Sequence, residues 1–289
     1  MKNNIKLSFL AVFLLFSYGV NALEPGQSAP KKIYSVGDSI TRAFNAYLPN
    51  DNPNISWTNG YYGFWQRLLG LPNINSHYQR IISAYGRFGS SNVTTAAMGA
   101  RMSDFPAMAL NVAGRGSTYV PVLLGANDIC SSSIMNFPED DVFASNFRTG
   151  MNNLVENLPS GATIYVAAIP DIEQVYQVGL NKDALGFVSC PLVWAINDIC
   201  QSMLSWANTD TEREYVTSRI QGYNGIMKDI IQLEYQPISS ATGLFFSYTG
   251  VSNEPFTASE LSDIDCFHPS ELGQQTLSSK TWQDGPFSN

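Results

Sequence analysis

Residues 32–41, Lys-Ile-Tyr-Ser-Val-Gly-Asp-Ser-Ile-Thr, constrain this chain more than any other stretch. A short apolar, β-branched run stops at Gly37. A serine follows two residues later, and a helix-capable segment starts there. That pattern predicts a strand, a turn and a helix. A serine on such a turn stands at the carboxyl end of its strand, with its hydroxyl and its N–H facing a crevice. A helix starting at the turn adds positive potential where an oxyanion can form. Ser39 is therefore a candidate nucleophile. The plain alternative is a common Ser N-cap, and this stretch alone does not separate the two.

The same grammar recurs along the chain. Strands are expected at 92–98, ending in Gly99, at 118–124, ending in Gly125, at 162–169, stopped by Pro170, and at 243–248. Pro121 weakens the 118–124 strand, because proline removes a ladder donor. Helices are expected at 61–71, with Phe64, Leu68 and Leu69 on one face, and at 103–113, with Pro106 in the first turn where proline is tolerated. A strong amphipathic helix covers 139–158 with a core stripe of Phe143, Phe147, Met151, Leu154 and Leu158. Another covers 211–235 with Val216, Ile220, Tyr223, Ile230 and Leu233, although Gly222 and Gly225 lower its helix propensity. A last helix should follow Pro269. Alternating strands and helices predict an α/β fold with a mainly parallel five-stranded sheet covered on both faces. Its strands are near-continuous apolar runs, as burial on both faces requires. Residues 170–210 interrupt the alternation with an excursion that carries Phe187, Leu192, Trp194 and Trp206.

The N-terminus reads differently. Lys2 and Lys6 precede an uncharged apolar run from Leu7 to Val20, and Val20-Asn21-Ala22 offers small residues for cleavage. Residues 1–22 are thus expected to be a secretory signal peptide, too short to span a bilayer comfortably. Residues 23–30 read as a polar linker and 31–289 as a single domain. The expected location is periplasmic or secreted. With 16 basic and 24 acidic residues and no basic cluster, the chain is a poor candidate for binding nucleic acid or anionic lipid surfaces. No later segment reads as a stable membrane insertion. Cys130, Cys190, Cys200 and Cys266 are an even set that suits two disulfides in an exported chain, with three pairings open. Zinc binding fails on spacing, since there is no C-x-x-C and the histidines are only His77 and His268.

Ser39, Gly99 and Asn127 each lie just past a predicted strand, and in an open α/β sheet such ends face one crevice. A nucleophilic serine needs a base. His268 has Asp265 three residues upstream, close enough to fix its tautomer. Asp263 is the rival orienter at a less convenient spacing. His77, with no carboxylate nearby, reads as structural or surface. Gly99 can offer an unobstructed N–H and Asn127 its amide, beside the Ser39 N–H, to a developing oxyanion. Singly, each has a bland alternative as a strand terminator or a turn.

Taken together and in this order, Gly37-Asp38-Ser39, Gly99, Gly125-Ala126-Asn127-Asp128 and Asp265-x-x-His268 resemble the SGNH (GDSL-type) hydrolase family, in its bacterial secreted branch. The resemblance implies a flavodoxin-like three-layer α/β/α fold and a catalytic triad of Ser39, His268 and Asp265. It implies an oxyanion hole of the Ser39 N–H, the Gly99 N–H and the Asn127 side chain. Ile40 departs from the family's short name, an apolar exchange. Asp38 is expected to bond backbone in the turn. The favoured disulfides are Cys130–Cys200 and Cys190–Cys266, the second bracing the loop that carries His268. The implied activity is hydrolysis of lipid or other acyl esters, with no metal or organic cofactor. A glycan O-deacetylase or acyltransferase on the same site is the alternative, and a non-catalytic binding protein the second. The expected partner is a small-molecule or lipid ester, and the oligomeric state stays open. Asn54-Ile-Ser and Asn92-Val-Thr match glycosylation acceptors.

Overall fold

The computed structural model describes residues 23–112, 114–250 and 257–288. The expected signal peptide, 1–22, lies outside the described residues. The strands are β1 (Lys32–Gly37), β2 (Ser91–Thr94), β3 (Tyr119–Leu123), β4 (Thr163–Ala167), β5 (Asp183–Ala184), β6 (Val188–Ser189) and β7 (Phe245–Thr249). The central sheet runs β2-β1-β3-β4-β7, every pair parallel, and β5–β6 is a separate small hairpin. This is the flavodoxin-like order, in which winding reverses between β1 and β3. Gly37 and Leu123 are register partners at that reversal, so the crevice at the switch point opens between the turns that follow them. β3 and β4 are buried along their whole length. Pro121 does not interrupt β3.

The helices are α1 (Phe64–Leu68), α2 (His77–Tyr85), α3 (Phe105–Val112), α4 (Ala126–Ile129), α5 (Asp140–Asn157), α6 (Ile172–Gly179), α7 (Cys190–Ile196), α8 (Gln201–Leu204), α9 (Asp210–Ile230), α10 (Ser239–Thr242) and α11 (Glu271–Gln283). α3, α5 and α9 pack together on one side of the sheet. Of the expected stripe, Phe143, Phe147, Met151 and Leu154 are buried in α5 while Leu158 caps the helix and is only partly buried, and Phe143 stacks on Tyr223 of α9 with ring centroids 4.1 Å apart. α2 and α11 cover the other side. There the buried His77 ring contacts Tyr119, Tyr165 and Trp282. Thr281 gives its hydroxyl proton to the Leu277 carbonyl. His77 Nε2–H therefore donates to Thr281 Oγ1, and Nδ1 accepts from the Tyr119 hydroxyl, both at 2.9 Å. His77 is a structural core residue.

Several local expectations change. Only 64–68 of the 61–71 segment is helical, and Phe64, Leu68 and Leu69 are exposed rather than facing the core. A five-residue helix presents little more than one turn, and Tyr62 makes the packing contact instead, against Ala43, Ala46, Ile55 and Ile74. β2 ends at Thr94, although Thr95 and Ala97 still donate to the β1 carbonyls of Ser35 and Gly37. Leu233 is exposed because α9 passes at Ile231 into a π-helical turn, whose extra residue rotates the stripe and buries Tyr235. α9 runs through Gly222 and Gly225 without a break. The 23–30 segment is tied to the sheet's lower rim, Ser28 N–H donating to the Gly161 carbonyl and Gln27 Nε2 to Thr163 Oγ1.

Gly150 is where α5 meets α3. A Cβ there would lie 2.3 Å from Cδ1 of Phe105, a fully buried ring tilted against Phe147. Gly150→Ala should therefore lower stability by about 1–3 kcal/mol through overpacking, despite the helix-propensity gain of about 1 kcal/mol that alanine brings. Urea unfolding reads this as a lower midpoint at unchanged slope. A raised midpoint would mean that Phe105 moves aside freely.

Candidate active site

The turn after β1 starts at Gly37, where a Cβ would meet Thr41 Oγ1 at 2.2 Å and the Leu123 carbonyl at 3.1 Å. Asp38 is fully buried, and its Oδ1 accepts from the Ile40 N–H at 2.9 Å. It thus bonds backbone in the turn. Its second oxygen has no hydrogen-bond partner. Burial pushes this carboxyl from 3.8 up to about 7, against the opposing pull of the Ile40 N–H and nearby His268. The expected helix does not start at Ser39. The chain makes successive turns instead, because Ala43 and Asn45 take left-handed φ of 50° and 54° and break right-handed propagation. A helix dipole behind Ser39 is therefore absent from the site's electrostatics.

Ser39 is buried, and its Oγ lies 2.9 Å from His268 Nε2. His268 Nδ1 lies 2.7 Å from Asp265 Oδ2. Asp265 Oδ1 accepts from the backbone N–H groups of Phe267 and His268 at 2.9 and 3.0 Å. Asn45 Nδ2 donates to Oδ2 at 2.7 Å. A carboxylate only accepts, so Nδ1 carries the imidazole proton and Nε2 is free to accept from Ser39. Burial alone would raise the Asp265 carboxyl, but the His268 ring, the Asn45 amide and the Phe267 N–H hold it below the ordinary range. Phe44 and Phe267 meet the His268 ring edge-to-face at 5.2 and 5.0 Å. Asp263, the rival orienter, is exposed and ion-paired with Lys182.

The loop carrying Asp265 and His268 is strapped to the 170–210 excursion. Cys190 is disulfide-bonded to Cys266, Trp194 Nε1 donates to the Cys266 carbonyl at 3.2 Å, and the Leu185 N–H donates to the Asp263 carbonyl at 2.8 Å. Cys130 is bonded to Cys200. Gly99 is exposed with φ of 70°. Asn127, in α4, donates from Nδ2 to the Ala100 carbonyl at 3.0 Å. Its neighbour Asp128 accepts from the Met102 N–H at 2.8 Å. These two side chains staple the Gly99 loop to the turn after β3. Burial raises the Asp128 carboxyl to about 6, opposed by the Met102 N–H and Arg101. Beside His268 lies an apolar pocket lined by Ile40, Ala126, Pro170, Ile172, Val175 and Phe267, among others. Of the excursion's large apolar residues, Phe187, Leu192 and Trp206 are exposed and Trp194 is buried; none of them lines the pocket, which the excursion meets through Pro170, Ile172 and Val175. Asp128 belongs to the Gly125-Ala126-Asn127-Asp128 block but was given no role from the sequence, and Asn45 was not singled out, since the Ala-Phe-Asn-Ala-Tyr-Leu stretch around it carries no signal for its partner. Among the described residues, no cluster of three or more His, Cys, Asp or Glu side chains is placed to hold a metal, and no helix is long and apolar enough to cross a membrane.

A model of the GDSL-like lipase/acylhydrolase family matches residues 33–281. Human membrane-associated phospholipase B1 is 22% identical over 282 residues, covering 88% of this chain and 19% of that protein. The chain thus spans about a fifth of that relative's length. Among solved structures, a Clostridium thermocellum family 3 carbohydrate esterase has a TM-score of 0.43 at 14% identity, covering 88% of this chain and 94% of that one. An extracellular lipase from Streptomyces rimosus has a TM-score of 0.38 at 16% identity, covering 87% and 100%.

Asp38 and Asp128, whose carboxyls burial raises, make pH-linked contributions to stability opposite to that of His77. Asp38 titrates near 3.8 when unfolded and about 7 when folded, so the folded state holds the extra proton between these values. Its contribution therefore falls as pH rises through that window. Burial lowers His77 from 6.5 to about 3, so its contribution rises with pH between those values. Asp38→Asn keeps the Oδ1 acceptor and cannot ionise. Its stability relative to the parent chain should climb steadily from pH 4 to pH 7 in denaturant titrations. A difference independent of pH would contradict the buried, proton-holding carboxyl.

Proposed function

Because the chain belongs to the GDSL-like lipase/acylhydrolase family, we propose that it hydrolyses carboxylic esters through an acyl-enzyme on Ser39. The observation that carries this reading is the Ser39–His268–Asp265 array at 2.9 and 2.7 Å. His268 Nε2 takes the Ser39 proton as Oγ attacks the ester carbonyl. Asp265 holds the ring in the required tautomer and stabilises the imidazolium that forms. The oxyanion rests on the Ser39 N–H, the Gly99 N–H and the second Nδ2 proton of Asn127. The first of those amide protons is used on Ala100, which fixes the amide without exhausting it. His268 then protonates the leaving alcohol, and a water molecule repeats the cycle on the acyl-enzyme. His268 accepts a proton only when neutral, so activity falls in acid.

The ester is a lipid or other acyl ester, with the acyl chain in the apolar pocket beside His268. The support is the pocket's lining of Ile40, Ile172, Val175 and Phe267, which offers apolar contact and little to bond a sugar hydroxyl. The protein is exported; the leader pattern and the two disulfides favour that reading.

A fluorophosphonate probe should label the native protein on Ser39, and Ser39→Ala should abolish both labelling and turnover. Asn127→Ala should lower kcat by about 10²- to 10³-fold, the usual loss for one oxyanion donor; near-normal turnover would remove Asn127 from that role. In a series of p-nitrophenyl esters, kcat/KM should rise from acetate by up to about fourfold per methylene until the pocket is filled. Activity confined to acetate would exclude the acyl pocket.

A further inference from the structure

We propose that Asn45 is a positioning residue for this array, its side-chain amide fixing the carboxylate oxygen of Asp265 that faces the imidazole. The inference rests on the ester-hydrolysis reading above and deepens it.

The geometry decides which end of the amide faces Asp265. Asn45 Oδ1 accepts from the Asn50 N–H at 2.8 Å, and an N–H only donates, so the NH₂ end is left to point at the carboxylate. It reaches Asp265 Oδ2 at 2.7 Å, the same oxygen that receives the His268 Nδ1–H at 2.7 Å. The backbone of Asn45 is fixed as firmly. Its N–H donates to the Asn50 carbonyl at 2.8 Å, and its carbonyl accepts the Ser262 hydroxyl at 2.6 Å. Its φ of 54° is one that asparagine tolerates better than most residues. Asn45 therefore joins the turn that carries Ser39 to the loop that carries Asp265, across 220 residues of sequence.

Two donors on one oxygen and two on the other leave the Asp265 carboxylate one orientation. Without Asn45, Oδ2 is held by the imidazole alone, and the ring loses the reference that aims Nε2 at Ser39. The other charged or titratable groups nearby are Asp38, whose charge acts on His268, the Lys182–Asp263 pair on the loop's outer side and the Arg42–Asp51 pair on Asn45's own segment. Glu271 sits behind, its N–H on the Ala46 carbonyl.

Two substitutions separate positioning from mere loop support. Asn45→Asp keeps the acceptor toward Asn50 but sets a second carboxylate against Asp265. Asn45→Gly suits the left-handed φ and removes the amide. Rates for a soluble p-nitrophenyl ester are measured against pH and divided by the number of Ser39 sites titrated with fluorophosphonate. In both variants kcat should fall about 10- to 100-fold, the worth of a hydrogen bond to a charged group. KM should stay within about twofold, since the loss is felt in the transition state. In Asn45→Asp the acid limb of kcat/KM should also move to higher pH, because the added negative charge favours the imidazolium. A kcat per titrated site equal to the parent's, with an unmoved acid limb, overturns the proposal. Should Asn45→Asp fail to fold, Asn45→Gly decides by the kcat-against-KM split. A fully active Ser39→Ala protein would overturn the parent reading itself. An inactive one beside unimpaired Asn45 variants overturns only the role of Asn45.

Discussion

β1 leaves the sheet at Gly37 with no room for a side chain, since a Cβ would lie 2.2 Å from Thr41 Oγ1. This tight exit sets Ser39 beside the end of β3, because Gly37 and Leu123 are register partners. The winding of the sheet reverses there, so the connections diverge and leave a crevice between them. Gly125 performs the matching task after β3. Its φ of 113° and the 2.5 Å approach of Ile169 to a built Cβ admit only glycine comfortably, and the chain then turns into α4 with Asn127. The two turns that face the crevice thus depend on two missing side chains, and Ser39 and Asn127 are hung from them.

The third component comes from the far end of the chain and has to be held there against its own freedom. The loop containing Asp265 and His268 has little regular structure, and Cys266 takes a left-handed φ of 56°. It is fixed by attachments from outside: a disulfide to α7, the Trp194 indole on the Cys266 carbonyl, the β5–β6 hairpin on Asp263, and Asn45, whose amide reaches Asp265 and whose carbonyl accepts the Ser262 hydroxyl. The disulfide closes a sequence separation of 76 residues, worth about 4 kcal/mol in a chain-entropy picture. The excursion's main service is therefore to brace the loop that carries Asp265 and His268. Its contribution to the pocket is made by Pro170 and by Ile172 and Val175 of α6.

The parts that were legible in the sequence are those written in local periodicity. Apolar runs ending in glycine marked β1 and β3, and the stripe from Phe143 to Leu154 marked α5, because burial on one or both faces leaves a repeat that sequence displays directly. The residue types around Ser39 and His268 were legible because nucleophilic chemistry on two available histidines leaves few choices. What stayed hidden depends on contacts distant in sequence or on backbone strain. Nothing in residues 40–46 announces that Ala43 and Asn45 turn left-handed, so the helix expected after Ser39 is not there. Nothing near Leu233 announces the π-helical turn. Asn45 looks like any polar loop residue, and its partner lies 220 positions away.

The three buried aspartates around the crevice show how one residue type is given different charges by its surroundings. Asp38 has the Ile40 N–H on one oxygen and nothing on the other, and burial keeps its proton on up to about pH 7. Asp128, held by the Met102 N–H, follows the same course to about 6. Asp265 is scarcely less buried, yet it receives the Asn45 amide, the imidazole N–H and two backbone N–H groups, and its carboxyl is held below the ordinary range. Desolvation acts on all three in the same sense; at Asp265 the charge of the adjacent His268 ring, together with the donors on both oxygens, outweighs it. Asp38 and Asp265 both lie close enough to His268 to interact with its charge, so an ionised Asp38 would compete for the imidazolium without offering a bond that orients the ring. Starving Asp38 of donors while supplying Asp265 with four places the negative charge on the one carboxylate that also sets the direction of Nε2.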